Sequence, residues 1–98
     1  MAGTKGKTKT IPWESAAYLK TDQDIANYLD AVFEDGDPAL ITHALGVVAR
    51  AKGMSQIAQA AGLGRESLSK ALSPDGNPEF ATVLKVMRAL GLRFKVVV

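Results

Sequence analysis

The chain has no cysteine and one histidine, His43, among its 98 residues. Disulfides and thiolate metal sites are therefore excluded, and a lone imidazole cannot assemble an ordinary zinc site. No apolar run approaches the roughly 18 residues of a membrane span, so no membrane partner is expected. The opening MAGTKGKTKT is charged but has no apolar segment behind it, unlike a secretory signal. A cytoplasmic location is the expectation, since a chain without thiols tolerates a reducing compartment. No Walker loop or GxGxxG precedes a helix, and no nucleophile elbow lies near His43, which falls within a predicted helix and reads as a partly exposed residue of it. The expectation is no catalytic residue, no cofactor, no metal and no enzyme.

What is present suffices for one core. Hydrophobic residues make up 47% of the chain, too many for global disorder. A chain of this length buries about two-thirds of its unfolded surface. The net charge of +2 is unevenly spread. Lys5, Lys7, Lys9 and Lys20 outweigh Glu14 in residues 1–20. Asp22, Asp24, Asp30, Glu34, Asp35 and Asp37 stand unopposed by any base in residues 21–37. Beyond Pro38, eight bases face three acids. The basic module suits a phosphate backbone. The acidic segment suits a basic protein partner or a solvated helix face.

Residues 1–11 read as a disordered basic arm. Extended, the first ten could reach about 30 Å. Residues 12–36 form an N-terminal extension that begins at Pro12-Trp13-Glu14 and includes an acidic helix. Trp13, Tyr18 and Leu19 are too bulky to stay wet without packing on the domain or docking a partner. Asp22–Glu34 reads as a helix with Ile25, Leu29, Val32 and Phe33 on one face, capped by Thr21 or Asp22 and stopped by Gly36.

Residues 37–91 form the main unit. Asp37 caps a helix with Pro38 at its first position. That helix runs to Lys52, buries Leu40, Ile41, Leu45, Val48 and Ala49, and ends at a left-handed Gly53. Ser73-Pro74-Asp75-Gly76 reads as a turn. Asn77-Pro78 opens the last helix, which carries Phe80, Val83, Leu84, Val86, Met87 and Leu90 before Gly91.

Between these elements, Ser55–Leu72 (SQIAQAAGLGRESLSKAL) has the pattern of a helix-turn-helix. Apolar or small residues fall at Ile57, Ala58, Ala61, Leu63, Leu68, Ala71 and Leu72, which fits two short helices meeting at a steep angle. Ser55 caps the first. Ala58 is small where the second helix crosses above it, and Gly62 suits a turn at positive φ. Arg65, Glu66, Ser67, Ser69 and Lys70 point off the apolar face. Such a polar face is what reading DNA bases requires, although an ordinary helical hairpin with a solvated face has the same pattern.

The tail changes period. Leu92, Phe94, Val96 and Val98 alternate with Arg93, Lys95 and Val97, which is strand patterning over residues 92–98. A lone strand cannot satisfy its own backbone groups. It pairs with its copy in a homodimer through Leu92, Phe94 and Val96, pairs with a partner's sheet edge, or packs down unpaired.

The run ARAKGMSQIAQAAGLGRESLSKALSPDGNPEFATVLKVMRALGLRFKV (Ala49–Val96) resembles the addiction-module antidote proteins. These are HigA-like antitoxins with a Cro/C1-type (XRE) helix-turn-helix. Tyr18-Leu19-Lys20, Ile25–Leu29 and Gly36-Asp37-Pro38 resemble the N-terminal part of the same family, so the likeness covers about residues 12–97. It implies an all-α, five-helix lambda-repressor-like domain, with the C-terminal strand paired in a dimer. It also implies a homodimer that neutralises a RelE/ParE-like toxin by direct binding and represses its own operon on double-stranded operator DNA. The alternative is a free-standing or phage-type Cro/C1-like regulator without a toxin.

Carried onto this chain, the recognition helix is Arg65–Leu72 and the turn is Gly62-Leu63-Gly64. Ser55, Gln56, Gly64, Arg65, Glu66, Ser67, Ser69 and Lys70 are then the expected DNA-binding residues. Met54 stands where phage repressors carry a phosphate-binding Gln, and Gly64 where a capping Ser or Thr is common. RelE-like toxins are basic, so Asp22 and Asp24, with Trp13, Tyr18 and Tyr28 as aromatic anchors, are the expected toxin-binding residues.

Overall fold

The structure, a computed structural model, describes residues 19–98. The described residues form five helices in the order α1 (Asp22–Asp35), α2 (Pro38–Lys52), α3 (Met54–Ala61), α4 (Arg65–Ala71) and α5 (Phe80–Ala89). None of them is in a strand. The basic arm and the Trp13/Tyr18 segment lie outside the described residues.

Local chemistry fixes the ends of the first two helices. At α1, the Thr21 hydroxyl accepts from the Asp24 N–H at 3.0 Å, while the Asp24 carboxylate accepts from the Thr21 N–H at 3.1 Å. This reciprocal capping box satisfies donors that the helix cannot pair internally. Gly36 ends α1 in the left-handed region at φ 81°, its N–H bonded to the Val32 carbonyl. α1 thus runs one residue past the expected Glu34. One residue further on, the Asp37 carboxylate accepts from the Ala39 N–H at 3.1 Å, and Pro38 opens α2.

The core is built around α2. Ala44, Leu45, Gly46, Val47, Val48 and Ala49 are all buried, because neighbours press on α2 from more than one side. α1 packs on α2 through Ile25, Leu29 and Val32, α3 packs on both α2 and α4, and α5 packs on α3. Leu68, Leu72, Val86, Met87 and Leu90 complete the core. His43 is half-buried on α2, as expected, and its buried Nε2 has no hydrogen-bond partner among the described residues.

Four local expectations are corrected. Leu40 is exposed, as is the whole first turn of α2, Pro38 and Ala39 included, so burial on this helix begins only further along. Ser55 is not a cap: α3 starts one residue earlier, at Met54, whose side chain is buried, and Gly53 holds the N-cap position without a side-chain bond. Gly53 has positive φ as expected, but at φ 107° and ψ 105° it lies outside the left-handed helical region. α5 starts at Phe80 behind Glu79, two residues after Pro78, whose ring keeps Asn77 from helical geometry.

The tail departs most from its sequence pattern. Residues 92–98 do not form a strand. Gly91, at φ 79°, reverses the chain, and the Leu92 N–H returns to the Met87 carbonyl at 2.9 Å. Leu92 then packs against the core. The Phe94 ring meets Phe33 of α1 edge-on at 5.3 Å and lies 6.1 Å from Phe80 of α5. The described residues offer no second edge, so alternation alone does not produce a strand.

Candidate nucleic-acid interface

α3 and α4 are joined by the three residues Gly62-Leu63-Gly64. Gly62 adopts φ 73° and ψ 31°, as its place in the turn requires. The Leu63 N–H reaches back to the Ala58 carbonyl at 2.8 Å and the Gly62 N–H to Gln59 at 3.1 Å, closing α3 in a Schellman-type end. Ala58 is buried, in keeping with the close approach of the next helix.

α4 is held from one side only. Leu68 is its one buried residue, and Leu72 follows as the buried C-cap. Arg65, Glu66, Ser67, Ser69 and Lys70 are all exposed. Among the described residues the one ion pair joins Lys52 to Asp22 at 3.3 Å, so Arg65 and Lys70 keep their charges uncommitted. The helix ends one residue before the expected Leu72 because the Ser73 hydroxyl donates to the Lys70 carbonyl at 2.7 Å. The expected 73–76 turn is present, with the Gly76 N–H on the Ser73 carbonyl at 2.8 Å. Ser67, Lys70, Ser73, Asp75 and Asn77 border a shallow concavity beside the helix.

The remaining expected contacts fall nearby. Ser55 and Gln56 are exposed on the first turn of α3. Met54 is buried there, so it presents nothing to a ligand. Gly64 is exposed and caps α4 without a side-chain bond, at φ −71° and ψ 141°. A Cβ there would come no closer than 3.7 Å to the Ser67 hydroxyl, so neither space nor φ demands glycine.

Of the expected toxin-binding residues, Asp22, Asp24 and Tyr28 are described, all on α1. Trp13 and Tyr18 lie outside the described residues. The Asp24 carboxylate is spent on the α1 cap, accepting from the Lys20 and Thr21 N–H groups. Asp22 holds Lys52, an exposed pair of small energetic value. Tyr28 is half-buried against the core. Asp30, Glu34 and Asp35 remain exposed along α1. In the tail, Phe94 is 39% and Val96 97% exposed, whereas Leu92 is half-buried.

Two glycines matter for close approaches that sequence reasoning did not give: Gly46, which it passed over, and Gly76, which it read only as part of a turn. A Cβ on Gly46, within α2, would stand 2.9 Å from the Leu72 carbonyl oxygen. One on Gly76 would stand 2.0 Å from that of Ala71. Both admit the backbone at the end of α4 closer than any side chain allows. An isolated glycine inside a helix pattern was the available signal at position 46.

The described residues define a small all-helical unit that presents one short helix outward, with Arg65, Ser67, Ser69 and Lys70 exposed. Residues 9–98 match the family described as "probable addiction module antidote protein". An uncharacterised protein of Haemophilus influenzae is 50% identical over 84 residues, covering 86% of this chain and 87% of that protein. No solved structure matches. The chain belongs to the addiction module antidote family, and such a family implies a toxin as partner. No helix of the described residues is long and apolar enough to cross a membrane, and no group of three or more His, Cys, Asp or Glu among them is placed to hold a metal ion.

Proposed function

We propose that the chain is the antitoxin of a two-gene module, of the HigA-like type with an XRE helix-turn-helix, and that it represses its own operon by binding double-stranded DNA through α4. The observation that carries this reading is the outward face of α4. Two leucines anchor the helix, while two cations and two serines remain exposed. A merely solvated helix does not need Arg65, Glu66, Ser67, Ser69 and Lys70 all exposed around the two anchors. Residues 37–91 are the DNA-binding unit, and Arg65 and Lys70 lead in it. Arg65 suits guanine O6/N7, Glu66 suits cytosine N4, and Ser67, Ser69, Ser55 and Gln56 suit bases or phosphates.

The partner is a basic RelE/ParE-like toxin, met by the acidic α1 and the segment before it. Membership of an antidote family favours such a partner over a free-standing regulator. The chain works as a cytoplasmic homodimer. Among the described residues, the backbone of 93–98 makes no backbone hydrogen bond, so its edge is free to pair with the tail of a second copy through Leu92, Phe94 and Val96. A two-fold pair sets two copies of α4 about 34 Å apart along one DNA face.

The test is co-expression with the adjacent gene product, then co-purification and a mobility shift on the operon's upstream DNA. The expected result is a stable complex that shifts this DNA. A partner with no shift removes the DNA role, and a shift with no partner leaves a free-standing repressor. In the same assay Arg65→Ala is expected to relax preference at one base step per half-site, a loss of about 1–3 kcal/mol in discrimination. An unchanged sequence preference overturns the role given to Arg65.

A further inference from the structure

We infer that Arg50, in the last turn of α2, is a further DNA-binding residue that grips a phosphate beyond the C-terminal end of α4. The inference rests on the DNA-binding reading above and adds a contact outside the helix-turn-helix.

The observation is a close approach between two helices distant in sequence. A Cβ built on Gly46 would stand 2.9 Å from the Leu72 carbonyl oxygen and 3.2 Å from Nη1 of Arg50. The two groups therefore flank one point. The Arg50 side chain folds back one turn along α2, over Gly46, and its guanidinium lies off the end of α4, whose C-cap is Leu72. A side chain at 46 would displace the Leu72 carbonyl and crowd the guanidinium by a few tenths of an ångström.

The group is also available. Arg50 is exposed, and among the described residues it has neither an ion pair nor a side-chain hydrogen bond. Its five donors are unspent, in the planar fork that matches phosphate oxygens. Arg65 stands at the other end of α4. The seven residues between these ends span about 10 Å, close to the roughly 12 Å width of a major groove. With Arg65 turned to the base edges at one end of a helix lying in the groove, a cation off the other end faces the phosphate-lined wall. Contacts of this kind fix the orientation of a recognition helix and carry no base information.

A bland role also exists: a cation in the last turn of α2 stabilises that helix's own carbonyl end. The salt dependence of binding separates the two, because a capping charge releases no counterions from DNA. Wild type, Arg50→Ala and Arg50→Lys should be titrated, from about 50 to 200 mM salt, on the operon's upstream duplex and on a random duplex of equal length. Thermal melts of each variant should be run in parallel.

The expected result for Arg50→Ala is a slope of log K against log salt shallower by about one, with affinity down about tenfold on both duplexes. The preference between the duplexes stays unchanged, and Arg50→Lys keeps most of the slope. A wild-type slope in Arg50→Ala overturns the inference, whether or not the melting temperature falls. A wild-type chain that binds neither duplex removes the DNA reading itself, a different failure.

Discussion

Leu68→Ala is expected to destabilise the protein by about 3 kcal/mol, within the range of about 2–5 kcal/mol for truncating a buried leucine. Leu68 is 1% exposed and is the only residue of α4 that is buried. A seven-residue helix has no stability of its own in water, since nucleation is costly and few hydrogen bonds repay it. α4 therefore exists because Leu68 and Leu72 dock it on the core. A domain of this size is stable by only about 5–15 kcal/mol, so the loss is a large share of the total. Urea unfolding measures it: the midpoint should fall by about 1–3 M with an unchanged slope. A loss below about 1 kcal/mol would show that something other than Leu68 holds α4.

The second large effect is expected at Gly76. A Cβ there would sit 2.0 Å from the Ala71 carbonyl oxygen and 2.6 Å from that of Lys70. Both neighbours are backbone, so no rotamer relieves the clash. Either the 73–76 turn opens or the last turn of α4 frays. Gly76→Ala should cost about 2 kcal/mol, in the range for forced overpacking, and lower the melting temperature by about 10 °C. The control is Gly64→Ser, twelve positions earlier. Its φ of −71° is ordinary and the nearest atom to its Cβ is 3.7 Å away. A serine there offers a capping hydroxyl, so stability should hold or rise by a few tenths of a kcal/mol. Equal melting temperatures for wild type and Gly76→Ala would mean that the turn does not lie against α4.

Much of the helical frame was legible because its signals are local. Thr21 with Asp24, Asp37 with Pro38, and Gly36 and Gly62 at helix ends act within four residues of chain. The polar run of α4 was legible for a related reason: Leu68 and Leu72 at helical spacing decide which side faces the core. Where a boundary depended on burial, local signals misplaced it. Ser55 looks like a cap, but burying Met54 draws the helix start back by one residue. Leu40 has the spacing of a core residue, yet it lies in the first turn of α2, where Pro38 and Ala39 are exposed as well.

The candidate site shows the same division. The sequence alone determined its residue types, their exposure on one helix and the turn that sets that helix apart. These follow from periodicity and from glycine's freedom at positive φ. Only the tertiary structure decided what surrounds α4. The approach of Gly46 to Leu72 brings Arg50 to the helix end, and the fit of Gly76 under Ala71 closes the following turn. Both join groups whose relation depends on how whole helices cross. It decided the tail as well: alternation at 92–98 sets which side chains share a face, but a strand needs a second edge. Without one, Phe94 turns to the aromatic rings of Phe33 and Phe80 instead.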